Sequence, residues 1–459
     1  MGAEDRRRAL VAGDLAVLAA VTVLALRLGA VRSGWAWSAS FLVGHAAWTA
    51  TLVAMWVALA WANGLYDRRR APDRWMAAVL SAQVSAQLLL VWAVAYFIPP
   101  PWTLVRHVVV FFAAGAAVAM PLWRQGYAAI FSRGAFRRRV MIVGAGSAGR
   151  AVLEAIRAAP HEFEVVGFAD DGAEKARRTI DGVAVVASRG DLVAHALDLG
   201  ATDLVLAITR DMHRAVFAAI MDAREQGIVV TPMPVFYESV TGRVPVEHIG
   251  DQWAVALPLD PPESRGLYRF ARRVVDICAG AAGTLVLAVL LPILAPAIRG
   301  TSRGGVFYRQ TRLGRGGRPF TLLKLRTMVL GAEADGPRWA APSDPRATPL
   351  GRWLRRARLD ELPQCLNLLR GDMSLVGPRP ERPEFVEGLA ARIPFYRARH
   401  AVRPGLTGWA TIHQGYAGSE QDALVKLQYD LYYIKHQSVL LDAYILARTV
   451  TTVLRLAGR

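Results

Sequence analysis

The sequence predicts a membrane protein in three parts: an α-helical transmembrane bundle, a Rossmann-like α/β module and a mainly α-helical domain that contains a re-entrant membrane helix. Three observations predict this. Four apolar runs come first, a glycine-rich turn between a strand pattern and a helix pattern follows, and a further apolar run with two prolines opens the last third. We place the parts at residues 1–135, 136–257 and 263–459, for which a chain of 459 residues is long enough.

The composition is typical of a membrane protein with one basic side. Hydrophobic residues make up 53% of the chain, and the formal net charge is +18. Arginine clusters at residues 6–8, 68–70 and 137–139 flank the apolar runs, which indicates the cytoplasmic edge of a bilayer. Cys278 and Cys365 have neither metal-ligand nor redox spacing, so we expect no disulfide framework.

Each of the first four apolar runs approaches the length that a hydrocarbon core requires: residues 10–30, 41–62, 75–98 and 104–122. The first run lacks a convincing cleavage site and is not predicted to be a secretory signal. The segments before the first run and after the second and fourth are rich in arginine, whereas the other loops are not. This alternation predicts four spans, with both termini and everything after Arg124 in the cytoplasm.

Short apolar runs alternate with helical patterns between residues 137 and 256, which predicts a parallel α/β fold. We predict a helix at residues 147–158 and strands at residues 140–143, 164–168, 202–208 and 227–231. Gly144, Gly146 and Gly149 form a G-x-G-x-x-G turn after the first strand, and Asp170 follows. Such glycines let the backbone approach a pyrophosphate, so these four residues are candidates for cofactor binding. Alternatively, the glycines only pack a helix against a strand.

The last third opens with an apolar run at residues 274–298, after a proline-rich linker at residues 258–262. The run is long enough to span a bilayer. However, Pro292 and Pro296 interrupt it, and a proline inside a helix removes a hydrogen bond and bends the helix. Basic residues flank both ends, so charge gives the run no direction. We therefore expect a bent, re-entrant segment rather than a fifth span.

Charged and turn-forming residues are densest between residues 350 and 380. Leu350 begins a predicted amphipathic helix, and Asp360 and Glu361 fall in its last turn before Pro363. Neighbours on a helix project about 100° apart, which favours distinct roles over a shared proton. One carboxylate could act as a nucleophile and both could hold Mg²⁺. The alternative is an ordinary surface helix end.

Cationic residues accompany these carboxylates. Arg379 lies between two prolines, which form a rigid frame for a guanidinium that binds phosphate. Arg309, Lys324 and Arg326 belong to a basic tract with interleaved aromatic residues. Nucleic-acid-binding proteins also mix these residue types. Attachment to a membrane and acidic residues in the same domain favour a small anionic substrate and no nucleic acid.

The last third resembles one known family in several blocks that occur in the family's order. Residues 272–456 are similar to the bacterial polyprenyl-phosphate hexose-1-phosphate transferases. The preceding part resembles the long form of these sugar transferases, with a four-helix membrane bundle and a Rossmann-like module. The matching blocks are residues 306–310, 314–315, 319–321, 359–364, 371–380, 403–410 and 429–433.

The resemblance implies a phosphotransferase that passes a hexose 1-phosphate from a UDP-sugar to undecaprenyl phosphate and releases UMP, with Mg²⁺ as cofactor. It implies that Asp360 forms a phosphosugar–aspartyl intermediate, that Glu361 supports it and shares the metal, and that Arg379 binds phosphate. Residues implied to line the site are Asp372, Lys324, Arg326, Gln364 and Arg309. A bacterial inner-membrane location, contact with membrane lipids and the first membrane step of a polysaccharide or glycoconjugate pathway also follow from it. The helical bundle could support a homodimer.

Three positions depart from the family pattern. Residues 303–305 read Arg-Gly-Gly where a Pro-Gly-Pro-type turn is usual, Arg358 replaces a small hydroxyl residue, and Thr411 replaces a glutamine. Two other functions fit parts of the sequence. One is a non-catalytic membrane scaffold for polysaccharide assembly. The other is a membrane-bound NAD-dependent nucleotide-sugar dehydratase, but no tyrosine is followed by lysine four residues later. Neither the sugar nor the pathway follows from the sequence.

Overall fold

The computed structural model describes residues 3–66, 74–95, 106–131, 137–160, 162–170, 179–187, 191–208, 214–248, 266–334, 336, 344–414 and 419–454. The chain divides into two compact units, Met1–Ile142 with Leu153–Leu204 and Ala218–Val230, and Val143–Val152 with Val205–Phe217 and Thr231–Arg459. The arginine cluster at 68–70, the linker at 258–262 and the domain boundary between residues 257 and 263 lie outside the described residues.

The N-terminal part folds into four helices where four apolar runs predicted them: α1 (Ala3–Ser33), α2 (Ala39–Ala62), α3 (Arg74–Ala95) and α4 (Arg106–Phe131). Helices α1, α2 and α4 are long and apolar enough to cross a membrane, and α3 contains a shorter apolar stretch, Ala77–Trp92. The helices are confirmed. That α3 also spans, and that both termini are cytoplasmic, stay predictions.

The core of the bundle is mainly apolar and contains one buried ion pair. Leu18, Trp56 and Phe112 are at most 1% exposed. Asp14 and Arg124 form an ion pair of which both side chains are at most 1% exposed. Removing either partner would leave an uncompensated buried charge, which is strongly destabilising.

The α/β region contains one six-stranded sheet in the order β3-β4-β2-β1-β5-β6. Strand β2 pairs with β4 in parallel, whereas β3 is antiparallel to β4. The four predicted strands and the predicted helix are confirmed. The strands are β1 (Arg138–Val143), β2 (Phe163–Ala169), β3 (Thr179–Ile180), β4 (Val183–Ala187), β5 (Asp203–Leu206) and β6 (Val229–Pro232), with helices α5 (Ser147–Arg157), α6 (Leu192–Asp198) and α7 (Arg214–Glu225).

The antiparallel strand β3 and its partner β4 were not predicted. Asp181 and Gly182 connect β3 to β4, with φ angles of 46° and 83°. An Asp-Gly pair with two positive φ angles is the preferred two-residue hairpin loop, because its twist matches that of the strands. The sheet is therefore mixed rather than entirely parallel.

The remaining elements belong to the second unit. Its helices are α8 (Met233–Thr241), α9 (Gly266–Thr301), α10 (Pro349–Arg356), α11 (Gln364–Arg370), α12 (Pro383–Ala390), α13 (Trp409–His413), α14 (Glu420–His436) and α15 (Val439–Leu454). Its strands form an antiparallel hairpin, β7 (Phe307–Leu313) with β8 (Pro319–Leu325), and a parallel pair, β9 (Ser374–Val376) with β10 (Gly405–Thr407).

Helix α9 contains the apolar run with the two prolines. It has 36 residues and is continuous through Pro292 and Pro296. At 1.5 Å per residue it is about 54 Å long, well beyond a hydrocarbon core of about 30 Å. It is apolar enough to cross a membrane. Whether it enters and leaves on one face stays a prediction.

Three glycines let two chain segments of this unit cross closely. A Cβ on Gly405 would lie 2.1 Å from the Gly377 nitrogen, and a Cβ on Gly408 would lie 2.2 Å from the Gly377 oxygen. Both distances are far below contact, so only glycine fits. The crossing fixes the segment that leads from β9 to Arg379.

Candidate active site

The carboxylate pair lies on a short turn between two helices. We expected Asp360 and Glu361 in the last turn of a helix from Leu350, and this was wrong. Helix α10 ends at Arg356, Arg358 has a φ of 59°, and residues Leu359–Glu361 form a 3₁₀ turn. A left-handed residue interrupts a right-handed helix. A 3₁₀ turn rotates about 120° per residue, so adjacent side chains still point in different directions.

Glu361 is held by three cations. Arg379 Nη2 donates to Glu361 Oε1 at 2.8 Å, Lys324 Nζ lies 3.5 Å from the same oxygen, and Arg358 Nη1 lies 3.4 Å from both oxygens. Glu361 is 8% exposed. Burial alone would raise its pKa, but Arg379, Lys324 and Arg358 hold the pKa well below its usual range. Glu361 is therefore an ionised anchor for cations.

Asp360 has the opposite environment. It is 6% exposed, and no described residue donates a hydrogen bond to its carboxylate. Burial first, and then the charge of Glu361, raise the pKa of Asp360 to about 6, although Lys324 and Arg355 oppose the shift. A carboxylate of this pKa is mostly ionised at neutral pH and more basic than an ordinary aspartate. That combination suits a nucleophile.

Asp360 lines a cavity of about 440 Å³ whose wall carries more cationic than acidic side chains. Strand β7 contributes the alternate residues Tyr308, Gln310 and Arg312, because successive side chains of a strand point to opposite faces. The cationic lining residues are Arg312, Lys324, Arg326, Arg346, Arg355 and Arg382, and the acidic ones are Glu333, Asp360 and Glu381. Such a wall is suited to a substrate with several phosphate charges.

Arg379 is positioned through its backbone. Arg399 Nη2 donates to the Arg379 carbonyl at 3.1 Å, and Arg312 Nη1 donates to the Pro380 carbonyl at 3.0 Å. Arg399 is 3% exposed and pairs with Asp430 at 2.7 Å. The Glu361 carboxylate raises the pKa of Arg379. The guanidinium is thus fixed beside the carboxylate pair.

The buried charges behind Arg379 were not found from the sequence. Glu381 contacts Lys426 and Arg399, and burial, which alone would raise its pKa, is outweighed by these cations, so that the pKa falls to about 2. Arg399 lies in a 3₁₀ segment and Lys426 in helix α14, 45 positions after Glu381, and no local pattern connects them. By contrast, Arg312 could have been found from the sequence. Tyr308, Gln310 and Arg312 are spaced two residues apart, so they share one face of β7.

The other predicted site residues differ in whether they line the cavity at Asp360. Arg326 lines the cavity and donates to the Arg303 carbonyl at 3.0 Å. Gln364 is 3% exposed at the start of α11. Asp372 accepts a hydrogen bond from Asn367 at 3.2 Å. Arg309 is exposed, on the face of β7 opposite to the cavity. Neither Asp372 nor Arg309 lines the cavity at Asp360.

The contact of Arg326 also explains why the middle residue of the turn at residues 303–305 is glycine. Gly304 has a φ of 129°, and a Cβ there would lie 2.1 Å from Arg326 Nη1. Few residues other than glycine adopt this φ without strain. The Arg-Gly-Gly turn therefore makes room for the guanidinium that binds it.

The carboxylate pair fits a shared magnesium site only in part. In the described ranges no group of three or more His, Cys, Asp and Glu side chains could hold a metal ion. Mg²⁺, however, often takes one or two carboxylates and completes its shell with water and substrate phosphates. The oxygens of Asp360 fit this use. Those of Glu361 already face three cations, which the ion would have to displace.

The glycine-rich turn of the α/β region has at least one packing function. Gly144 has a φ of 110°, and a Cβ there would lie 2.7 Å from the Ala207 carbonyl. Nothing lies within 4 Å of a Cβ on Gly146. Gly149 is buried, and Asp170 follows β2. Close packing thus accounts for Gly144, and a nucleotide-type ligand for these four residues stays a prediction.

Comparison with known proteins supports this description. The bacterial sugar transferase family matches residues 267–456, and the PglD N-terminal domain family matches residues 139–221. The chain is 40% identical over 217 residues, 47% of its length, to the UDP-N-acetylgalactosamine-undecaprenyl-phosphate N-acetylgalactosaminephosphotransferase of Aeromonas hydrophila. That match covers only 50% of the Aeromonas protein.

Two further relatives match over most of their own length. The UDP-glucose:undecaprenyl-phosphate glucose-1-phosphate transferase of Klebsiella pneumoniae is 32% identical over 73% of this chain and 72% of its own. An uncharacterized sugar transferase of Bacillus subtilis is 37% identical over 187 residues, which are 40% of this chain and 87% of that protein. The chain belongs to the bacterial sugar transferase family, whose relatives named here include undecaprenyl-phosphate sugar phosphotransferases.

Proposed function

We propose that this protein transfers a hexose 1-phosphate from a UDP-sugar to undecaprenyl phosphate and releases UMP, at the cytoplasmic face of a bacterial inner membrane. The observation that carries the proposal is Asp360: a buried carboxylate of raised pKa that faces a cation-lined cavity. The names of the relatives supply the two substrates. We place this reaction at the first membrane step of polysaccharide or glycoconjugate synthesis.

In the first step a carboxylate oxygen of Asp360 attacks the sugar-bearing phosphorus of the donor. A bond forms between that oxygen and phosphorus, and the bond from phosphorus to the bridging oxygen breaks, so that UMP leaves with the electron pair. Lys324, Arg312 and Arg355 line the cavity and offset the negative charge of the transferring phosphoryl group. Glu361 keeps Arg379 and Lys324 beside the reacting carboxylate.

In the second step a phosphate oxygen of undecaprenyl phosphate attacks the same phosphorus. The bond to Asp360 breaks, the carboxylate is restored, and the sugar is left on a lipid diphosphate. Two steps at one carboxylate divide a difficult transfer and do not require both substrates at once. When bound, Mg²⁺ would neutralise phosphate charge, with Asp360 as its protein ligand.

The test measures UMP release by the full chain, purified in detergent with Mg²⁺, from a panel of UDP-sugars. With undecaprenyl phosphate, we expect repeated turnover with one or a few sugars. Without it, we expect at most one UMP per chain and a mass increase equal to one sugar phosphate. Asp360→Asn should abolish both signals, whereas Glu420→Gln, also a carboxylate-to-amide change but at a side chain that is 46% exposed and outside the cavity, should keep them.

The outcomes separate the steps of the proposal. UMP release only when both substrates are present would overturn the covalent step and leave the overall transfer. An active Asp360→Asn protein would remove Asp360 from the nucleophile role. A folded protein that releases no UMP from any sugar would favour the scaffold function.

A further inference from the structure

A second cavity in the same unit is lined by arginines and shares no lining residue with the cavity at Asp360. Its volume is about 470 Å³. Asp276 is the only acidic residue in its described lining. The cationic lining residues are Arg269, Arg272, Arg273, Arg315 and Arg403. The wall therefore has a large excess of positive charge.

Part of this charge is used inside the protein. Arg272 Nε donates to Ser374 Oγ at 2.8 Å, and Arg273 donates to two carbonyls of α11 at 2.7 Å. Asp276 is 2% exposed and accepts from Ser374 Oγ at 3.0 Å and from the next main-chain nitrogen at 2.8 Å. These contacts hold Arg272, Arg273 and Asp276 in place. The one carboxylate of the described lining is thus already hydrogen-bonded within the protein.

The other three arginines are available to a ligand. The guanidinium groups of Arg269, Arg315 and Arg403 have no hydrogen-bond or ion-pair partner in the part of the chain that the structure describes. Burial first, and then the charges of Arg273 and Arg315, lower the pKa of Arg403, although Asp276 opposes this. An anion in the cavity would relieve this repulsion.

The cavity opens at the start of the apolar helix α9. Leu267 and Phe270, in the first turns of that helix, are 80% and 68% exposed. Gln437 lines the cavity, and Leu440, three residues later, is 74% exposed. Exposed apolar side chains beside arginines are typical of a membrane interface, where the apolar groups enter the lipid and the guanidinium groups stay at headgroup level. An anion at this position is most readily supplied by a lipid.

We propose that this cavity binds the phosphate headgroup of a membrane lipid, at a site distinct from the one at Asp360. Arginine recognises phosphate through paired charge-assisted hydrogen bonds, and three guanidinium groups can surround one headgroup. The acyl or polyprenyl chain would then lie along the exposed apolar residues of α9. Binding of this kind requires no turnover, so it does not depend on the proposed function.

The test titrates the full chain in neutral detergent, by native mass spectrometry, with phosphatidylglycerol, undecaprenyl phosphate or inorganic phosphate in separate arms. All proteins carry Asp360→Asn, so that no covalent transfer contributes. We expect at least one of the two lipids to bind, and the Arg315→Gln/Arg403→Gln variant to bind it roughly tenfold to a hundredfold more weakly. Arg318→Gln, an exposed arginine outside the cavity, should bind as tightly as the parent.

The arms identify the source of the headgroup. Preference for undecaprenyl phosphate would make the cavity a second acceptor site, and equal binding of both lipids would make it a general headgroup site. Either supports the proposal. Unchanged lipid affinity in the double variant, or binding of inorganic phosphate alone, would overturn it. If the double variant misfolds, Arg315→Glu replaces it, because Arg315 is exposed and its reversal should weaken lipid binding without loss of fold.

Discussion

At the scale of single residues, the main feature is that two neighbouring carboxylates have opposite pKa shifts. Cations surround Glu361 and lower its pKa, whereas Asp360 is buried next to a charged neighbour and its pKa is raised to about 6. Active sites often separate the roles of two acids in this way. The arrangement assigns charge binding to Glu361 and leaves Asp360 to react.

This difference predicts the acid side of the pH profile. The nucleophile must be ionised, so kcat/KM for the UDP-sugar should fall about tenfold per pH unit below a pH of about 6. Arg355 lowers the pKa of Asp360 in the native protein. In Arg355→Gln the acid limb should therefore move to higher pH. The measurement is UMP release from pH 5 to 8. If the acid limb of that variant is unchanged, then Asp360 is not the group whose ionisation sets the limb.

Glu361→Gln should reduce the rate without removing the nucleophile. The neutral amide no longer offsets Arg379 and Lys324, and the like-charge effect of Glu361 on Asp360 is also lost. The pKa of Asp360 should therefore fall, and the acid limb should move to lower pH while kcat decreases. UMP release across the same pH range measures both. Complete loss of the covalent intermediate in a folded variant would instead mean that Glu361 has the nucleophile's role.

Arg379→Lys tests whether a planar guanidinium is needed. The ammonium keeps the charge but cannot bridge Glu361 and a phosphate with two parallel hydrogen bonds. We expect kcat/KM for the donor to fall roughly tenfold to a hundredfold, the value of one charge-assisted hydrogen bond. The matched control is Arg392→Lys, at a side chain that is 61% exposed. Equal losses in both variants would show that the effect is not specific to the site.

At the scale of elements, the close approach of the chain around β9 and β10 explains why this block is rich in glycine. Gly405→Ala would place a Cβ 2.1 Å from the Gly377 nitrogen, so we expect a loss of about 1–3 kcal/mol in the free energy of unfolding. Gly388→Ala, in helix α12, meets its nearest heavy atom at 3.7 Å and should stabilise by roughly 0.5–1 kcal/mol. Thermal unfolding of both variants measures the contrast. Equal stability would contradict the close crossing.

The sequence predicted those elements whose signal is local. Apolar runs predicted α1 to α4, and alternation around the glycine turn predicted β1 and α5. The break before Asp360 could not be predicted in this way. The break depends on the left-handed conformation of Arg358. The helix propensity of arginine would instead predict that the helix continues. In the folded protein this conformation is accompanied by the ion pair between Arg358 and Glu361.

The candidate site was predicted to a similar extent. Asp360, Glu361, Arg379 and Lys324 were predicted together and are close together. The pair Arg399–Asp430, which supports the Arg379 backbone, is separated by 31 positions and joins a 3₁₀ segment to helix α14. Only the tertiary fold brings such residues together, so sequence periodicity cannot show them.

At the scale of the whole molecule, the second unit includes a segment that the sequence assigned to the α/β module. Trp409 Nε1 donates to the Gly242 carbonyl at 2.9 Å, and Lys435 Nζ pairs with Glu238 at 3.0 Å. Val244 belongs to the same apolar cluster as Tyr433. These contacts lie within one compact unit, which contains Thr231–Arg459 together with Val143–Val152 and Val205–Phe217. Helix α8 and the turn after it thus contact helices α13 and α14 of the last third.

This predicts where the chain can be divided. A protein of residues 231–459 should stay folded and release UMP, because it keeps the contacts of α8 and its C-terminal turn with Trp409 and Lys435. A protein of residues 263–459 lacks α8. It therefore exposes Trp409 and loses the ion pair between Glu238 and Lys435, so it should aggregate or unfold at lower temperature. Detergent-purified samples of both, compared by size-exclusion chromatography, thermal unfolding and UMP release, test this. If the shorter protein is as stable and active as the longer one, then the contacts of α8 are dispensable and the boundary at residue 263 defines the catalytic domain.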